Sequence, residues 1–191
     1  MSTAVDTAAR TAPRLRASAR SQVAPISASE FTQSMRMLAS GVVIVTSHVE
    51  GQPWGVTLSS LSSFSADPAR IAFSVGRSTA TAQSIAQTGE FGVAILSSAS
   101  AELAARQAAA GQPKFLAAEA VQGSGPVLGV PAIAGALYNL ECKSVVEVEV
   151  LDHVLVVADV LSASNSALDE SGLVFCNRLF GSFFRHEGDR S

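Results

Sequence analysis

The sequence predicts a mostly β fold, an antiparallel barrel with a few helices. Segments of strand length follow one another directly, giving seven or eight strands against three helical segments. The chain has 191 residues, of which 48% are hydrophobic, enough for one domain with a full core. No GxGxxG motif follows a strand, which excludes a Rossmann dinucleotide site, and no GxSxG or Walker pattern is present.

The predicted organisation is one ordered domain over residues 25–185 between two unstructured ends. Residues 1–24 are rich in Ala, Ser, Thr and Arg without an apolar period, so we expect a disordered tail. Their Arg-rich, acid-poor composition also resembles an organelle transit peptide. Residues 186–191 are polar and are expected to fray.

Charge and hydropathy narrow the possible partners. Residues 1–20 carry four Arg and one Asp, whereas the rest of the chain carries nine basic and fifteen acidic residues. An acidic body is poorly matched to a phosphate backbone, so nucleic acid is not an expected partner. No apolar run approaches the ~18 residues that span a bilayer, and nothing resembles a secretory signal. We therefore expect no membrane contact and a cytoplasmic location with reduced thiols.

Metal-ligating residues are scattered. Cys142 and Cys176 stand far apart and form no CxxC pair, and the three His residues show no HxxxH spacing. The sequence therefore predicts no metal site.

The first ordered element is predicted to be a helix that begins at Ser27. Ser27 and Glu30 have the spacing of a capping box, and Gly41 is expected to end the helix. The apolar residues that share one face of this helix are Phe31, Met35 and Leu38.

The later elements follow from hydrophobic period and turn residues. Residues 42–46 are β-branched and read as a buried strand, and the turn signal Glu50-Gly51 pairs it with a strand from Trp54. The further expected elements are a strand over 71–75, a helix over 78–87 ended by Gly89, a strand over 91–96, a helix from Ser100 through Ala110, a long surface loop over 111–131, and strands over 135–142, 146–150, 154–161, 173–175 and 179–184 that close the sheet.

Residues 54–73 are unusually rich in hydroxyl groups before a turn at Asp67-Pro68. Hydroxyls at this density, beside free backbone amides, suit a ligand with many oxygens, although a Ser/Thr-rich strand is also typical of an exposed sheet edge. Residues 76–81 add Arg77, hydroxyls and a helix N-terminus, which suits a phosphate. The alternative there is an ordinary N-cap beside a solvated Arg.

Several blocks, taken in order, resemble the short-chain flavin reductases, the reductase components of two-component flavin monooxygenases. The similarity covers about residues 28–184. The blocks are Phe31-x3-Met35-x3-Ala39-Ser40-Gly41-Val42, Gly55-Val56-Thr57-x-Ser59-Ser60-x2-Ser63-x-Ser65-x-Asp67-Pro68, Arg77-Ser78-x2-Thr81, Gly89-x-Phe91-x-Val93-x-Ile95-Leu96, Leu140-Glu141-Cys142 and Asp152-His153.

The resemblance implies an FMN-binding split β-barrel, usually a homodimer with flavin sites near the subunit interface. It also implies NAD(P)H:flavin oxidoreductase activity, with FMN or FAD as flavin, NADH or NADPH as hydride donor, and a partner monooxygenase that receives reduced flavin. By analogy the residues that would bind the cofactor are Thr57, Leu58, Ser59, Ser60, Ser63, Ser65, Arg77, Ser78, Thr81, Lys114 and Phe180.

Two residues are assigned by the resemblance to the nicotinamide side and the pocket wall. His153 matches a position that faces the nicotinamide, although a solvated turn histidine is the alternative. Phe180 would pack beside the same pocket. Because the cofactors perform the hydride transfer, the protein needs no nucleophile or general base of its own.

The chain departs from the family pattern at three places. Leu151 replaces the usual Gly before Asp-His, which would change that turn. Lys114, in Pro113-Lys114-Phe115, replaces an Arg and offers a point charge without a bidentate fork. Ala69 replaces a second proline after Asp-Pro.

Two other functions remain open on the same fold. One is an enzyme that retains its flavin and acts on another small molecule, and the other is a non-catalytic flavin-binding module. The residues do not decide between FMN and FAD or between NADH and NADPH.

Overall fold

The structure, a computed structural model, describes residues 23–166 and 170–183. The predicted tail over 1–24 therefore lies, apart from residues 23 and 24, outside the described residues. The predicted frayed end over 186–191 lies outside them entirely.

Within the described residues the chain forms three α-helices and twelve strands. They follow in this order: α1 (Ala28–Met35), β1 (Ser40–Gly41), β2 (Val43–Val49), β3 (Gln52–Leu58), β4 (Ser62–Ala66), β5 (Ala69–Gly76), α2 (Ala80–Thr88), β6 (Glu90–Ile95), α3 (Ala101–Ala108), β7 (Val121–Ser124), β8 (Pro131–Ile133), β9 (Tyr138–Val150), β10 (His153–Asn165), β11 (Leu173–Cys176) and β12 (Leu179–Ser182). The predicted mostly β class is confirmed.

Helix α1 starts as predicted and ends earlier. Ser27 Oγ accepts from the Glu30 amide, and the Glu30 carboxylate accepts from the Ser27 amide, so the capping box is present. The prediction that Gly41 ends the helix was wrong. The helix ends at Met35, and Gly41 instead pairs with Val174 in a short strand. No residue of α1 is buried, so its apolar face has no cover within the described chain.

Seven strands form one antiparallel sheet in the order β3-β2-β6-β9-β10-β5-β4. Its two edge strands, β3 and β4, are joined by only three residues, 59–61. Ser60 links this connection to β5, because its Oγ donates to the Ser74 carbonyl and accepts from the Ser74 amide. The connection therefore lies where the two edges of the sheet come together.

The apolar residues form two cores, one on each face of β2. Val43 and Val45 pack into a core with the side chains of α2 and of β5, including Phe73. Val42 and Ile44 face a second core built with α3 and residues 116–136. Because residues 43–46 of β2 are buried on both faces, they are all β-branched rather than alternating with polar residues.

Two further predictions need correction. Residues 111–131 are not a simple surface loop, because β7 and β8 form a small sheet there and Leu116 and Val130 are buried. The turn before β8 is held by the buried Glu141 carboxylate, which accepts from the amides of residues 127–129. Strands β11 and β12 do not close the main sheet, since they form a separate three-stranded sheet with β1.

The departure at Leu151 leaves the β9–β10 hairpin tight. Val150 pairs directly with His153, and Leu151 adopts a φ of 56° between them. A Leu at positive φ takes the conformation that a Gly would adopt without strain. The turn is therefore retained, and Leu151 itself is 90% exposed.

Candidate functional site

Three cavities lie next to one another along β3 and the connection that follows it. The first, of about 460 Å³, lies between α1 and the β11–β12 hairpin. The second, of about 120 Å³, shares Ser59 with the first, and the third, of about 360 Å³, shares Ala108 with the second. The three cavities thus follow the chain from Trp54 on β3 to Ser60 in the connection after it.

The central cavity brings together four of the predicted residues, Thr57, Leu58, Ser59 and Phe180. The Thr57 hydroxyl is already engaged, because its Oγ1 donates to the Ala104 carbonyl of α3 at 2.8 Å. The wall opposite β3 is aromatic. It was not predicted beyond Phe180, whose ring centroid lies 5.1 Å from that of Phe175.

The third cavity lies at the N-terminus of α2. Thr79 is the N-cap, and its hydroxyl accepts from the Ala82 amide. Thr81, two residues after Thr79, is fully buried, and its Oγ1 has no hydrogen-bond partner in the described part of the chain. A buried hydroxyl without a partner is costly, and Thr81 lines the third cavity, so an acceptor bound there would satisfy this hydroxyl.

Lys114 lines the same cavity as Thr81. Its Nζ donates to the Ala109 carbonyl, and burial lowers the pKa of its ammonium group. The cavity therefore combines a helix N-terminus, an unsatisfied hydroxyl and a cation, which is the donor set that suits a phosphate.

Residues 114–116 reach this position by pairing with the outer edge of β3. The Gly55 amide donates to the Lys114 carbonyl and the Leu116 amide donates to the Pro53 carbonyl, both at 2.9 Å. A Cβ on Gly55 would approach the Ile44 side chain to 2.8 Å and Leu116 to 3.2 Å, so only Gly permits this approach. A T-shaped contact between Trp54 and Phe115, with ring centroids 4.8 Å apart, completes the pairing.

Arg77 and His153 lie together at a different place, beside the β9–β10 hairpin. His153 pairs with Gly76 across β10 and β5, and the Arg77 amide donates to the Asp152 carbonyl at 2.8 Å. The Arg77 guanidinium contacts the Glu149 carboxylate at 3.2 Å. Both side chains of this ion pair are more than half exposed, so the pair contributes little to stability.

The imidazole of His153 is oriented by its neighbour. His153 Nδ1 lies 2.9 Å from Asp152 Oδ1, and this hydrogen bond, with smaller help from Arg77, lowers the pKa of the Asp152 carboxyl. The His153 side chain is 53% exposed, which leaves its other nitrogen accessible to a ligand.

The remaining predicted residues are less well grouped. Ser60 lines the first cavity, but its hydroxyl is occupied by Ser74. Ser63 and Ser65 lie on β4 around a register shift, and Ser78 is exposed beside Arg77. None of these last three lines the three cavities described above.

Sequence reasoning missed part of the lining. Trp54 and Val56, on the opposite face of β3 from Thr57, form a wall of the third cavity together with residues 108–112. Because side chains alternate between the two faces of a strand, Trp54 and Val56 were predictable as neighbours on one face of β3. No local sequence pattern predicts that the end of α3 folds over them.

The described residues hold no group of three or more His, Cys, Asp or Glu side chains that could bind a metal ion. Among the helices of residues 23–166 and 170–183, none has the length and apolarity needed to cross a membrane.

Comparison with known proteins identifies relatives over nearly the whole described chain. FMN reductase (NADH) SmoA of Agrobacterium fabrum is 28% identical over 155 residues, covering 81% of this chain and 86% of the relative. The reductase component of 4-nitrophenol 4-monooxygenase/4-nitrocatechol 2-monooxygenase of Rhodococcus opacus is 31% identical over 141 residues, 73% of either chain.

Among solved structures, the NADH:FAD oxidoreductase SgcE6 of Streptomyces globisporus C-1027 superposes with a TM-score of 0.73 at 25% identity. The match covers 88% of this chain and all of that one. The flavin reductase like domain model matches residues 35–183, a span that contains all three cavities except part of the α1 wall. The chain belongs to the flavin reductase like domain family.

Proposed function

We propose that this protein is an NAD(P)H:flavin oxidoreductase that passes hydride from a reduced nicotinamide to FMN or FAD. The observation that carries the proposal is the row of cavities along β3, which ends at the buried, unpartnered hydroxyl of Thr81. A flavin mononucleotide has the corresponding shape, with a planar ring, a hydroxylated chain and a terminal phosphate. The residues present therefore fit the group.

The ring and the ribityl chain are assigned to β3 and the connection after it. Leu58, Ser59 and the aromatic residue Phe180 would line the ring, and backbone groups of residues 57–60 on the outer side of β3 would hydrogen-bond its polar edge. The Thr57 and Ser60 hydroxyls donate within the protein, so their role would be to fix these backbone groups. Ser63 and Ser65 would contact the ligand only from the edge strand β4.

The phosphate is assigned to the third cavity. Thr81 Oγ1 would donate to a phosphate oxygen, Lys114 would supply positive charge, and the α2 N-terminus would add partial positive charge. Arg77 and Ser78 would join them only if Arg77 leaves the exposed carboxylate of Glu149. Since an exposed ion pair is worth less than about 1 kcal/mol, that exchange is inexpensive.

His153 is assigned to the nicotinamide side. When bound, the flavin and nicotinamide supply the hydride transfer itself, and the protein holds the two rings in contact. His153 would orient the nicotinamide through its exposed nitrogen while Asp152 fixes the imidazole from the other side.

The proposal extends to the partner protein, the oligomeric state and the location of the reductase. Relatives named as reductase components of monooxygenases support a partner monooxygenase that takes the reduced flavin. A homodimer is supported by α1, which has no buried residue, and by the exposed apolar side chains Met37 and Leu179 beside it. A cytoplasmic location is supported by the two free thiols of Cys142 and Cys176.

The deciding experiment is NADH and NADPH oxidation at 340 nm by the purified protein, with and without added FMN, FAD or riboflavin. Turnover that saturates with added flavin, from a protein isolated nearly colourless, is the expected result. A yellow protein that oxidises neither nucleotide would overturn the reductase and leave a flavin-binding module. A yellow protein whose turnover needs no added flavin would instead favour an enzyme that retains its flavin.

A further inference from the structure

The β9–β10 hairpin exposes apolar side chains at its tip, which comprises residues 148–155. Val150 pairs directly with His153, and opposite residues of an antiparallel pair lie on the same face. Leu155, two residues after His153, shares this face. Val150, Leu155 and the turn residue Leu151 are all exposed. A contiguous group of exposed apolar side chains is typical of a surface that binds another molecule.

Leu151 lies in the turn of the hairpin tip with a strained backbone. Its φ of 56° is a conformation that Gly adopts freely and that is unfavourable for a residue with a Cβ. Its side chain is 90% exposed, so packing within the subunit does not offset the strain. Residues in strained conformations cluster at functional sites. The strain and the exposure together indicate that the Leu151 side chain acts outside the subunit.

Carboxylates flank the apolar side chains of the hairpin tip. Glu147 and Glu149 are exposed on β9, and Asp152 is exposed in the turn. A nearby cation, Arg77, pairs with Glu149. These three carboxylates and one guanidinium group give a net charge of −2 around an apolar centre. The complementary surface is an apolar recess with a rim of Lys or Arg side chains.

The hairpin tip is connected to the proposed flavin site by two short contacts. His153 pairs with Gly76 across β10 and β5, and the Thr79 hydroxyl donates to the Gly76 carbonyl at 2.8 Å. Thr79 lines the third cavity. A protein bound to the hairpin tip would therefore lie close to the place where flavin is proposed to bind.

We propose that the hairpin tip is the docking surface for the partner monooxygenase, with Leu151 seated in an apolar recess whose rim is basic. This inference rests on the proposed function and names the place where its partner binds. A second copy fits this surface less well, because two hairpin tips carry the same carboxylates and repel each other. The tip is also small beside a stable interface of roughly 20–30 residues a side, so the complex would be transient. A transient complex suits a protein that repeatedly delivers reduced flavin.

The first test is photochemical cross-linking with the full chain, produced in the cells that naturally contain it. Benzoylphenylalanine replaces Leu151, and in the matched control it replaces Tyr138, an exposed aromatic residue at the other end of β9. We expect position 151, and not position 138, to form an adduct with a flavin-dependent monooxygenase that mass spectrometry identifies. An adduct with a second copy of this chain or with another class of protein overturns the inference. So does the absence of an adduct, or the same adduct from both positions.

The second test measures the affinity of the purified monooxygenase for variants of this protein by titration calorimetry. Leu151→Gly removes the apolar side chain and relieves the strained φ, so the fold should be retained. Val127→Ala shortens an exposed apolar side chain outside the hairpin tip and is the control. We expect the Kd to rise about tenfold for Leu151→Gly and to stay unchanged for Val127→Ala. Added salt should weaken the wild-type complex, because the contact includes opposite charges.

Equal affinities of wild type and Leu151→Gly would overturn the docking surface. NADH oxidation with added FMN, measured without the monooxygenase, should be the same for both proteins, since this reaction needs no docking. Failure of docking with that turnover intact would leave the proposed function standing. Absence of that turnover in wild type would instead contradict the proposed function itself.

Discussion

Thr81 separates a ligand role from a stabilising role more clearly than any other side chain of the site. Its hydroxyl is buried without a partner, whereas the Thr88 hydroxyl on the same helix donates to the Ser84 carbonyl and accepts from the Glu90 amide. The first hydroxyl should therefore matter to a bound phosphate, and the second to the ligand-free fold.

We expect Thr81→Val to weaken FMN binding about tenfold, the loss of one charge-assisted hydrogen bond, without lowering the free energy of unfolding. Riboflavin, which lacks the phosphate, should bind the variant as it binds wild type. Fluorescence titration and thermal unfolding measure both quantities. Thr88→Val is the matched control and should lose roughly 1 kcal/mol of stability with FMN affinity intact. Equal losses of affinity for FMN and riboflavin would contradict the assignment of the phosphate to this cavity.

His153 offers a test of the nicotinamide side. Its ring is exposed and contacts Asp152, so its removal should leave the fold and the flavin site unchanged. His153→Ala should raise the KM for NADH several-fold while the Kd for FMN is unaltered, since one ligand hydrogen bond is worth about 0.5–1.5 kcal/mol. An unchanged KM would make His153 a solvated turn residue.

At this scale the sequence identified residue types better than their geometry. The hydroxyl-rich run and the α2 N-terminus could be read from composition, and Thr57, Ser59 and Thr81 all line the cavities. The hydrogen bonds from the Thr57 hydroxyl to the Ala104 carbonyl and from the Ser60 hydroxyl to the Ser74 carbonyl could not be predicted. Tertiary packing alone brings those partners close.

Glu141 shows how one element fixes another. Its buried carboxylate on β9 accepts from the amides of residues 127–129 and from Ser162 Oγ. Burial raises the pKa of this carboxyl, but the hydrogen bonds from Ser162 and the three amides outweigh burial and lower the pKa below 4.5. The segment over 111–131, which its composition predicts to be a surface loop, is thereby fastened to the main sheet.

The sign of the pH dependence follows from that lowered pKa. A carboxyl whose folded pKa lies below the unfolded one contributes stability that is present above the unfolded pKa. This contribution is lost as pH falls through the folded pKa. Glu141→Gln should therefore destabilise the protein at pH 7 by about 2 kcal/mol and show a shallower loss of stability below about pH 4.5 than wild type. Denaturant unfolding at several pH values measures this, and parallel curves for the two proteins would contradict it.

The β9–β10 hairpin tests the departure from the family pattern. Leu151 keeps the tight turn at a φ of 56° and is 90% exposed, so it has backbone strain and little packing. Leu151→Gly should raise the free energy of unfolding by about 1 kcal/mol, because Gly relieves the left-handed strain. Thermal unfolding gives the value, with Leu155→Gly in the adjoining strand as a control expected to destabilise. A lower melting temperature for Leu151→Gly would mean that its side chain makes a contact in an oligomer.

At the scale of the elements, the succession of strands along the chain and most of their boundaries were readable, but their assignment to sheets was not. The prediction of two strands over 135–142 and 146–150 was wrong, because they form the single strand β9. The β2–β3 hairpin and its Glu50-Gly51 turn follow from local signals. The separate sheet of β1, β11 and β12 depends on pairing between Gly41 and Val174, which no local pattern encodes.

The whole molecule has an apolar surface that a second copy is expected to cover. Met37 and Leu179 are each 68% exposed and lie at the end of α1 and on β12. Met37→Asp should shift the protein from dimer to monomer in analytical ultracentrifugation, because a carboxylate in an apolar interface is strongly unfavourable. Leu151→Asp, the same kind of change at the hairpin tip, should leave the mass unchanged. A Met37→Asp variant that remains dimeric would place the interface elsewhere, and a monomeric wild type would contradict the dimer itself.

The two edge strands of the main sheet, β3 and β4, also bear on how the protein would aggregate. Part of β3 is covered by residues 114–116, and β4 is interrupted by a register shift at Ser63 and Ser65. Both devices are known to discourage pairing between edge strands of different molecules. The uncovered portion is the stretch assigned to the flavin, so the bound flavin would also cap this edge. Without flavin this edge is the place where we expect aggregation to begin, and storage with FMN should delay it.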